Sequence, residues 1–264
     1  MPWKDQAPRF LQRHPNISVL ECVKDGLPLV EFDEMNPPYK FSLPKLKKLV
    51  TETASTFHYL EGPCPLLRYA RITWDDLTAT DTILSFLSSS PALHHLDNIV
   101  SVQNTPSLSA IGEHAPGVIN LTFRLETNGV QMTEEILEEF HDLLKEDIES
   151  FEKIVTLSVI PVDANHWKEY DLCTDEVNDD FDFVTCLGEL CPRLCIVATY
   201  GGIIWERNRP SGYWLPLVYS KKDEWYKYTD KYDEAELVIV SSWEPSYRGE
   251  RVLRTYVWDR CPPK

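Results

Sequence analysis

Positive charge is scarce in this 264-residue chain. Its 26 lysines and arginines stand against 42 aspartates and glutamates, a formal net charge of −16 at pH 7. A protein that grips nucleic acid or an anionic membrane neutralises phosphates and releases their counterions. Neither is expected as the main partner of so acidic a chain. Also missing is any run of about 18 apolar residues, so no transmembrane helix is expected. Met1-Pro2-Trp3-Lys4-Asp5-Gln6 has no apolar signal region, which argues against secretion. The seven cysteines are an odd number, and without a secretory signal they point to reduced thiols in the cytoplasm or nucleus. For the same reason Asn16-Ile17-Ser18 and Asn120-Leu121-Thr122 read as chance matches to glycosylation acceptors.

Catalytic signatures are missing too. There is no Gly-x-Ser-x-Gly nucleophile elbow, no Walker loop and no dinucleotide fingerprint. A hydrolytic set could be drawn from Asp163, His166 and a serine or cysteine, but no spacing raises it above chance. No enzymatic activity is expected, and a hydrolase is the distant alternative. Cys186, Cys191 and Cys195 invite a metal, yet no second Cys or His pair lies nearby at zinc-finger distances. Cys191 sits where a helix should meet a proline, a position expected to be buried. His94-His95 falls within a strand, where adjacent side chains face opposite ways and chelate poorly. No metal and no cofactor are expected.

What the chain does have is a recurring phrase. A proline is followed by apolar residues at fixed offsets in His14-Pro15-Asn16-Ile17-Ser18-Val19-Leu20, Leu43-Pro44-Lys45-Leu46-Lys47-Lys48-Leu49 and Cys64-Pro65-Leu66-Leu67-Arg68-Tyr69-Ala70. It returns in Ser90-Pro91-Ala92-Leu93-His94-His95-Leu96, Ala115-Pro116-Gly117-Val118-Ile119-Asn120-Leu121 and Cys191-Pro192-Arg193-Leu194-Cys195-Ile196-Val197. Ile154, Leu157 and Val159 repeat the offsets where Glu152 replaces the proline. The last two apolar positions of each phrase are spaced as a strand requires. Proline just before a strand suits a chain leaving a helix, because it cannot continue one.

Helix signals precede several phrases. Thr80-Asp81 can cap a segment carrying Ile83, Leu84 and Leu87 that ends in Ser88-Ser89-Ser90, and Ser107 can cap Leu108–His114. Thr133 can cap the longest, with Ile136, Leu137, Phe140, Leu143, Leu144, Ile148 and Phe151 at helical spacing. Asp179-Asp180 opens another, with Phe183, Val184, Leu187 and Leu190. Strand, helix, strand in one direction implies a parallel sheet with helices on its other face. The phrase prolines at 15, 44, 65, 91, 116 and 192 leave gaps of 29, 21, 26, 25 and 76. The early gaps fall in or near the ~20–29-residue period of leucine-rich repeats, although no asparagine marks the ladder. One unit cannot bury its apolar face alone, so units must stack. The expected fold is α/β: a right-handed, irregular leucine-rich-repeat solenoid over residues 1–205, with the parallel sheet concave and the helices convex.

Residues 206–264 are expected to form a C-terminal cap with an aromatic-rich tail that holds Trp225, Tyr226, Tyr228, Tyr232, Trp243, Tyr247, Tyr256 and Trp258. The tail reads either as part of that cap, which solenoids need over their last apolar face, or as an aromatic binding patch. Leu237–Val240 and Val252–Trp258 read as strands. Acidic residues concentrate in 133–152 and again from Asp163 through Asp182. These are either solvated surfaces or a docking site for a basic partner.

Phe10-Leu11-Gln12-Arg13-His14-Pro15-Asn16-Ile17, the Leu-Pro-x-Leu phrase and Leu187-Gly188-Glu189-Leu190-Cys191-Pro192-Arg193-Leu194 together resemble basidiomycete F-box/leucine-rich-repeat proteins. The closing Gly202-Ile203-Ile204-Trp205-Glu206-Arg207 and Trp214-Leu215-Pro216 are similar as well. The resemblance covers the repeat region, roughly residues 9 to 216. It implies the substrate-selecting part of a ubiquitin ligase adaptor. The first phrase begins near residue 10, leaving no room ahead of it for an F-box. Contact with a cullin-type ligase is therefore doubtful for this chain, and an autonomous scaffold without ligase recruitment is the alternative.

Either way the expected partner is a protein. In a repeat strand the residues between the inward apolar ones face the concave surface. That nominates Tyr69, Arg71, His95, Asp97, Asn120 and Thr122 as partner-binding, with Val19, Glu21, Lys48, Val50, Thr156 and Ser158 at equivalent offsets. Tyr and Arg are enriched at interface hot spots. Replacing Tyr69 and Arg71 by alanine is expected to weaken capture without lowering thermal stability.

Overall fold

A computed structural model describes residues 10–22, 40–75, 79–101, 105–126, 132–162, 174–200, 203–207, 214–217, 237–245 and 251–259. The chain forms two compact units, residues 1–154 and 155–264.

The first unit is built on five parallel strands hydrogen-bonded in chain order. These are β1 (Val19–Cys22), β2 (Lys48–Thr51), β3 (Tyr69–Thr73), β4 (His95–Ser101) and β5 (Asn120–Glu126). The proline phrase makes each one start. Across every phrase the residue two after the proline donates its backbone N–H to the carbonyl just before the proline, at 2.9–3.3 Å, from Ile17 to His14 through Leu194 to Cys191. Proline's fixed φ suits the second position of such a turn. The third residue after the proline then presents a carbonyl to the next phrase. Ser18 accepts from Lys47 and Lys48, Lys47 from Arg68 and Tyr69, Arg68 from His94 and His95, and His94 from Ile119 and Asn120. One turn thus sets the register of the next strand.

The three apolar offsets bury together. Leu67, Ala70 and Ile72, and likewise Val118, Leu121 and Phe123, are at most 1% exposed. Leu46, Leu49 and Thr51 fill the same positions in β2, and Leu93, Leu96 and Asn98 in β4. The helices cover this side of the sheet. α1 (Thr80–Ser88) buries Ile83, Leu84, Phe86 and Leu87, and Phe86 meets Phe57 edge-on at 5.1 Å. α2 (Leu108–His114) is capped by Ser107, whose hydroxyl accepts from Ala110 N–H. α3 (Glu134–Asp147) is capped by Thr133 in the same way, and its Phe140 meets Phe123 of β5 at 5.5 Å. The strand order and the caps of α2 and α3 are those that the sequence predicts.

Two details differ from expectation. The cap position of α1 is Ala79, so Thr80 and Asp81 lie inside the first turn, where Asp81 still complements the helix dipole. Leu143 is 41% exposed, because it lies to one side of the narrow stripe Phe140–Leu144–Ile148. Gly112 is the point where α2 touches the chain after α3: a Cβ there would lie 2.9 Å from the carbonyl carbon of Ser150. Only a residue without a side chain permits that approach.

In the second unit β6 (Thr156–Pro161) pairs in parallel with β7 (Ile196–Ala198), after α4 (Thr174–Leu190). α4 begins five residues before the expected Asp179, and it buries Phe183, Val184 and Leu187. The chain then reverses: β8 (Ile204–Arg207) and β9 (Trp214–Leu217) continue antiparallel from β7. The expected boundary at 205–206 falls inside β8. Trp205 and Trp214 are buried, and Trp214 lies against Gly188, where a Cβ would come within 2.7 Å of its Nε1. Arg207 donates to the carbonyls of Gly188 and Pro192 and sits 5.9 Å from the Trp214 ring. β10 (Leu237–Pro245) and β11 (Arg251–Asp259) form an antiparallel pair where strands were expected. Trp225, Tyr226, Tyr228, Tyr232 and Tyr247 lie outside the described residues, as do the side chains of the other tail aromatics.

Candidate functional site

Strand alternation decides what the uncovered face of β1–β5 carries. Because Leu96 and Asn98 turn toward the helices, His95 and Asp97 turn away from them. Parallel register lines these residues up in rows. One row runs Val19, Lys48, Tyr69, His95, Asn120, and the next runs Glu21, Val50, Arg71, Asp97, Thr122. A third places Thr73, Ile99 and Arg124 side by side.

Asp97 is the hub. Its side chain is only 2% exposed although it lies on the uncovered face, because its neighbours close over it. Arg71 Nε donates to Oδ2 at 2.8 Å, and Arg124 Nε to Oδ1 at 2.9 Å and Oδ2 at 3.2 Å. The Tyr69 hydroxyl donates to Oδ2 at 3.1 Å. A buried carboxylate is tolerated when it is paired and hydrogen-bonded in this way. Burial, with the nearby Asp97 charge, pushes the Tyr69 phenol above its usual range. Burial works against the Arg71 cation, but its hydrogen bond and charge pairing with Asp97 outweigh it and raise its pKa.

His95 packs its ring 4.8 Å from that of Tyr69. Burial lowers its pKa, Asp97 opposes the shift, and the Arg71 and Arg124 charges add to it, so the imidazole is neutral at pH 7. Lys48 completes the row, with Nζ 5.7 Å from the Tyr69 ring and 2.6 Å from Glu21 Oε1. Two guanidinium charges against one carboxylate leave the hub with one positive charge on an acidic protein.

Of the six nominated residues, Tyr69, Arg71, His95 and Asp97 form one connected cluster, and Asn120 and Thr122 are their register neighbours on β5. Asp97 differs from its nomination in being enclosed: it holds the arginines rather than facing a partner. Stability and surface are also linked here. Removing Tyr69 and Arg71 strips two donors from a buried carboxylate, so the double change to alanine should lower thermal stability rather than leave it unchanged. Arg124 was missed, although the period-two alternation that selects Asn120 and Thr122 selects it next. Asn98 was missed on the covered face, where it accepts from Trp74 Nε1 at 3.0 Å and donates to the Thr122 carbonyl at 3.3 Å. It stands at a ladder position that is apolar in β3 and β5. Thr156 and Ser158 lie on β6, in the second unit.

The other candidates give less. Cys191 is buried, and among the described residues no three of His, Cys, Asp and Glu converge to hold a metal ion. Asp163 and His166 lie outside the described residues, as does most of the second acidic stretch. The carboxylates of Glu134, Glu135, Glu138, Glu139, Asp142 and Glu146 stand on the exposed side of α3. Asp147 instead accepts from Ser109 N–H at the start of α2. Among the described residues no helix is long and apolar enough to cross a membrane. No protein-family model, no curated protein and no solved structure matches this chain.

Proposed function

We propose that this chain is a protein–protein recognition module. Its architecture is an irregular leucine-rich-repeat solenoid that binds its partner on the uncovered face of β1–β5. One observation carries this function: helices occupy one side of the parallel sheet, and the other side presents a pre-ordered row of Tyr, His and Arg side chains. Ordered side chains of these types lose little entropy on binding and recur at interface hot spots. The resemblance to F-box/leucine-rich-repeat proteins makes the partner a substrate brought to a ubiquitin ligase.

The test uses a photo-crosslinking amino acid at Asn120, on the face, and at Glu138, on exposed α3. A discrete set of proteins crosslinked in native cells from Asn120 but not from Glu138 is the expected result. Equal labelling from both sites, or labelling from Glu138 alone, would overturn it. Cullin-ligase subunits co-purifying with the full-length gene product support the adaptor role, and their absence replaces it with an autonomous scaffold.

A further inference from the structure

Two arginines sharing one carboxylate do not use up their donors. A guanidinium carries five N–H groups in a planar fork. Both Arg71 and Arg124 hold Asp97 through Nε, and among the described residues the Nη groups of Arg124 meet no hydrogen-bond acceptor. Both side chains reach solvent, at 32% and 25% exposure, whereas the carboxylate they cover is at 2%. Among the described residues no other acid supplies the balancing charge. Glu21 is taken by Lys48 at 2.6 Å, and Glu126, two residues beyond Arg124, makes no ion pair with it. Around this charge the surface is neutral and polar: the Tyr69 hydroxyl, the uncharged His95, Asn120 and Thr122.

We propose that Arg71 and Arg124, held side by side by the buried carboxylate of Asp97, receive one Asp or Glu carboxylate from an acidic peptide segment of a partner protein laid across β3–β5. This rests on the recognition role above and names its chemistry. Arginine's fork matches a carboxylate in two-point geometry, which lysine cannot reproduce. The charge count selects the guest. One carboxylate neutralises the hub, whereas a phosphate, at about −1.5 to −2, would leave excess negative charge beside Asp97. Repulsion of an acidic partner by the protein's overall charge of −16 is largely screened beyond roughly 8 Å at physiological ionic strength. Attraction is therefore local, and it should weaken as salt is added.

The test is a titration of the full chain, labelled with ¹⁵N and observed at the arginine Nε–H signals, which Arg71→Lys and Arg124→Lys assign. The probes are short capped Ser/Gly peptides with a central Glu, Gln or phosphoserine. The Glu peptide should shift the Arg71 and Arg124 signals together and saturably, and the Gln peptide should bind at least about tenfold more weakly. Arg124→Lys should lose affinity for the Glu peptide, and Arg124→Gln should lose more. If Arg124→Gln does not fold, the titration of the unaltered chain decides alone. Unmoved arginine signals, equal Glu and Gln affinities, or phosphoserine binding more than about tenfold tighter than Glu would each overturn the proposal. Crosslinking from Asn120 that survives such a result leaves the recognition role standing. Responsive arginines without that crosslinking leave only an anion site.

Discussion

The Asp97 hub makes a prediction about additivity that ordinary surface ion pairs do not. Take Arg71→Met and Arg124→Met singly. Each removes one charge-assisted hydrogen-bond partner but leaves the other arginine and Tyr69 on the carboxylate, at a cost of about 1.5 kcal/mol, the low end for a charged group because both arginines reach solvent. Together they leave a carboxylate that is 2% exposed with only the Tyr69 hydroxyl, and an unpaired buried charge of that kind costs about 3–5 kcal/mol. At the middle of that range, about 4 kcal/mol against about 3 for the summed singles, the double variant should lose about 1 kcal/mol beyond the sum. Adding Asp97→Leu removes the charge that needs compensation, and stability should return to within about 1 kcal/mol of the parent. Methionine keeps the apolar stem of the arginine, so lost packing does not mimic the effect.

Urea denaturation gives the five stabilities, the parent's and those of the four variants. Because the chain has two compact units, hydrogen exchange at the β3–β5 amides should accompany it, so that opening of the first unit is read directly. Additivity within about 0.5 kcal/mol would refute the shared hub, since independent sites behave that way. A triple variant as unstable as the double would equally show that Asp97 was not the source of the cost.

Gly112→Ala should destabilise the first unit by about 1–3 kcal/mol, because the new methyl meets the Ser150 hydroxyl and Cβ and also its carbonyl carbon at 2.9 Å, and the backbone cannot swing aside as the hydroxyl can; an unchanged urea midpoint would mean that α2 moves aside freely. Burial pushes the His141 pKa down to about 4, with Lys145 adding to the shift and Asp142 opposing it. The folded state therefore binds its proton less readily than the unfolded chain. This contribution is fully present above the unfolded pKa near 6.5 and is lost as pH falls toward 4, by about 3 kcal/mol in total. His141→Gln should flatten that part of the pH–stability curve, and parallel curves for parent and variant would contradict the burial argument. Gly188→Ala should push against the Trp214 ring and loosen the Arg207 contacts, raising hydrogen exchange in β8 and β9 while leaving β3–β5 unchanged.

Strand order, turns and two of the helix caps were legible because they are local. A proline two residues before a buried apolar position, or a Ser or Thr ahead of an amphipathic run, acts within one turn of chain. The start of α1 was misplaced because a capping residue can sit inside the first turn, as Asp81 does, and still look like a cap. Gly112 carried no signal because its reason for being glycine is Ser150, which is distant in sequence and adjacent in space. Asp147 is similar: its carboxylate looks like one more charge on α3, yet it serves the N-terminus of α2. The reversal at β8 and β9 was likewise invisible to a phrase that encodes only parallel units.

The uncovered face of β1–β5 shows the same division more sharply. Alternation places Tyr69, Arg71, His95 and Asp97 outward, and register brings them together, so their proximity follows from the repeat alone. What alternation cannot tell is that an outward residue is enclosed. Asp97 becomes buried because two arginine stems fold across it, each anchored through Nε, and long side chains cover surface in this way. That enclosure changes what the face can do. Immobilising a rotamer-rich side chain on binding costs about 0.5–1.5 kcal/mol, and Asp97 has already fixed both arginines before a partner arrives. A lysine pair over the same carboxylate would supply equal charge but would lack a planar fork for the carboxylate to lock. The pairing of Arg71 and Arg124 on β3 and β5 around an acid on β4 therefore makes this sheet face a prearranged surface for a carboxylate.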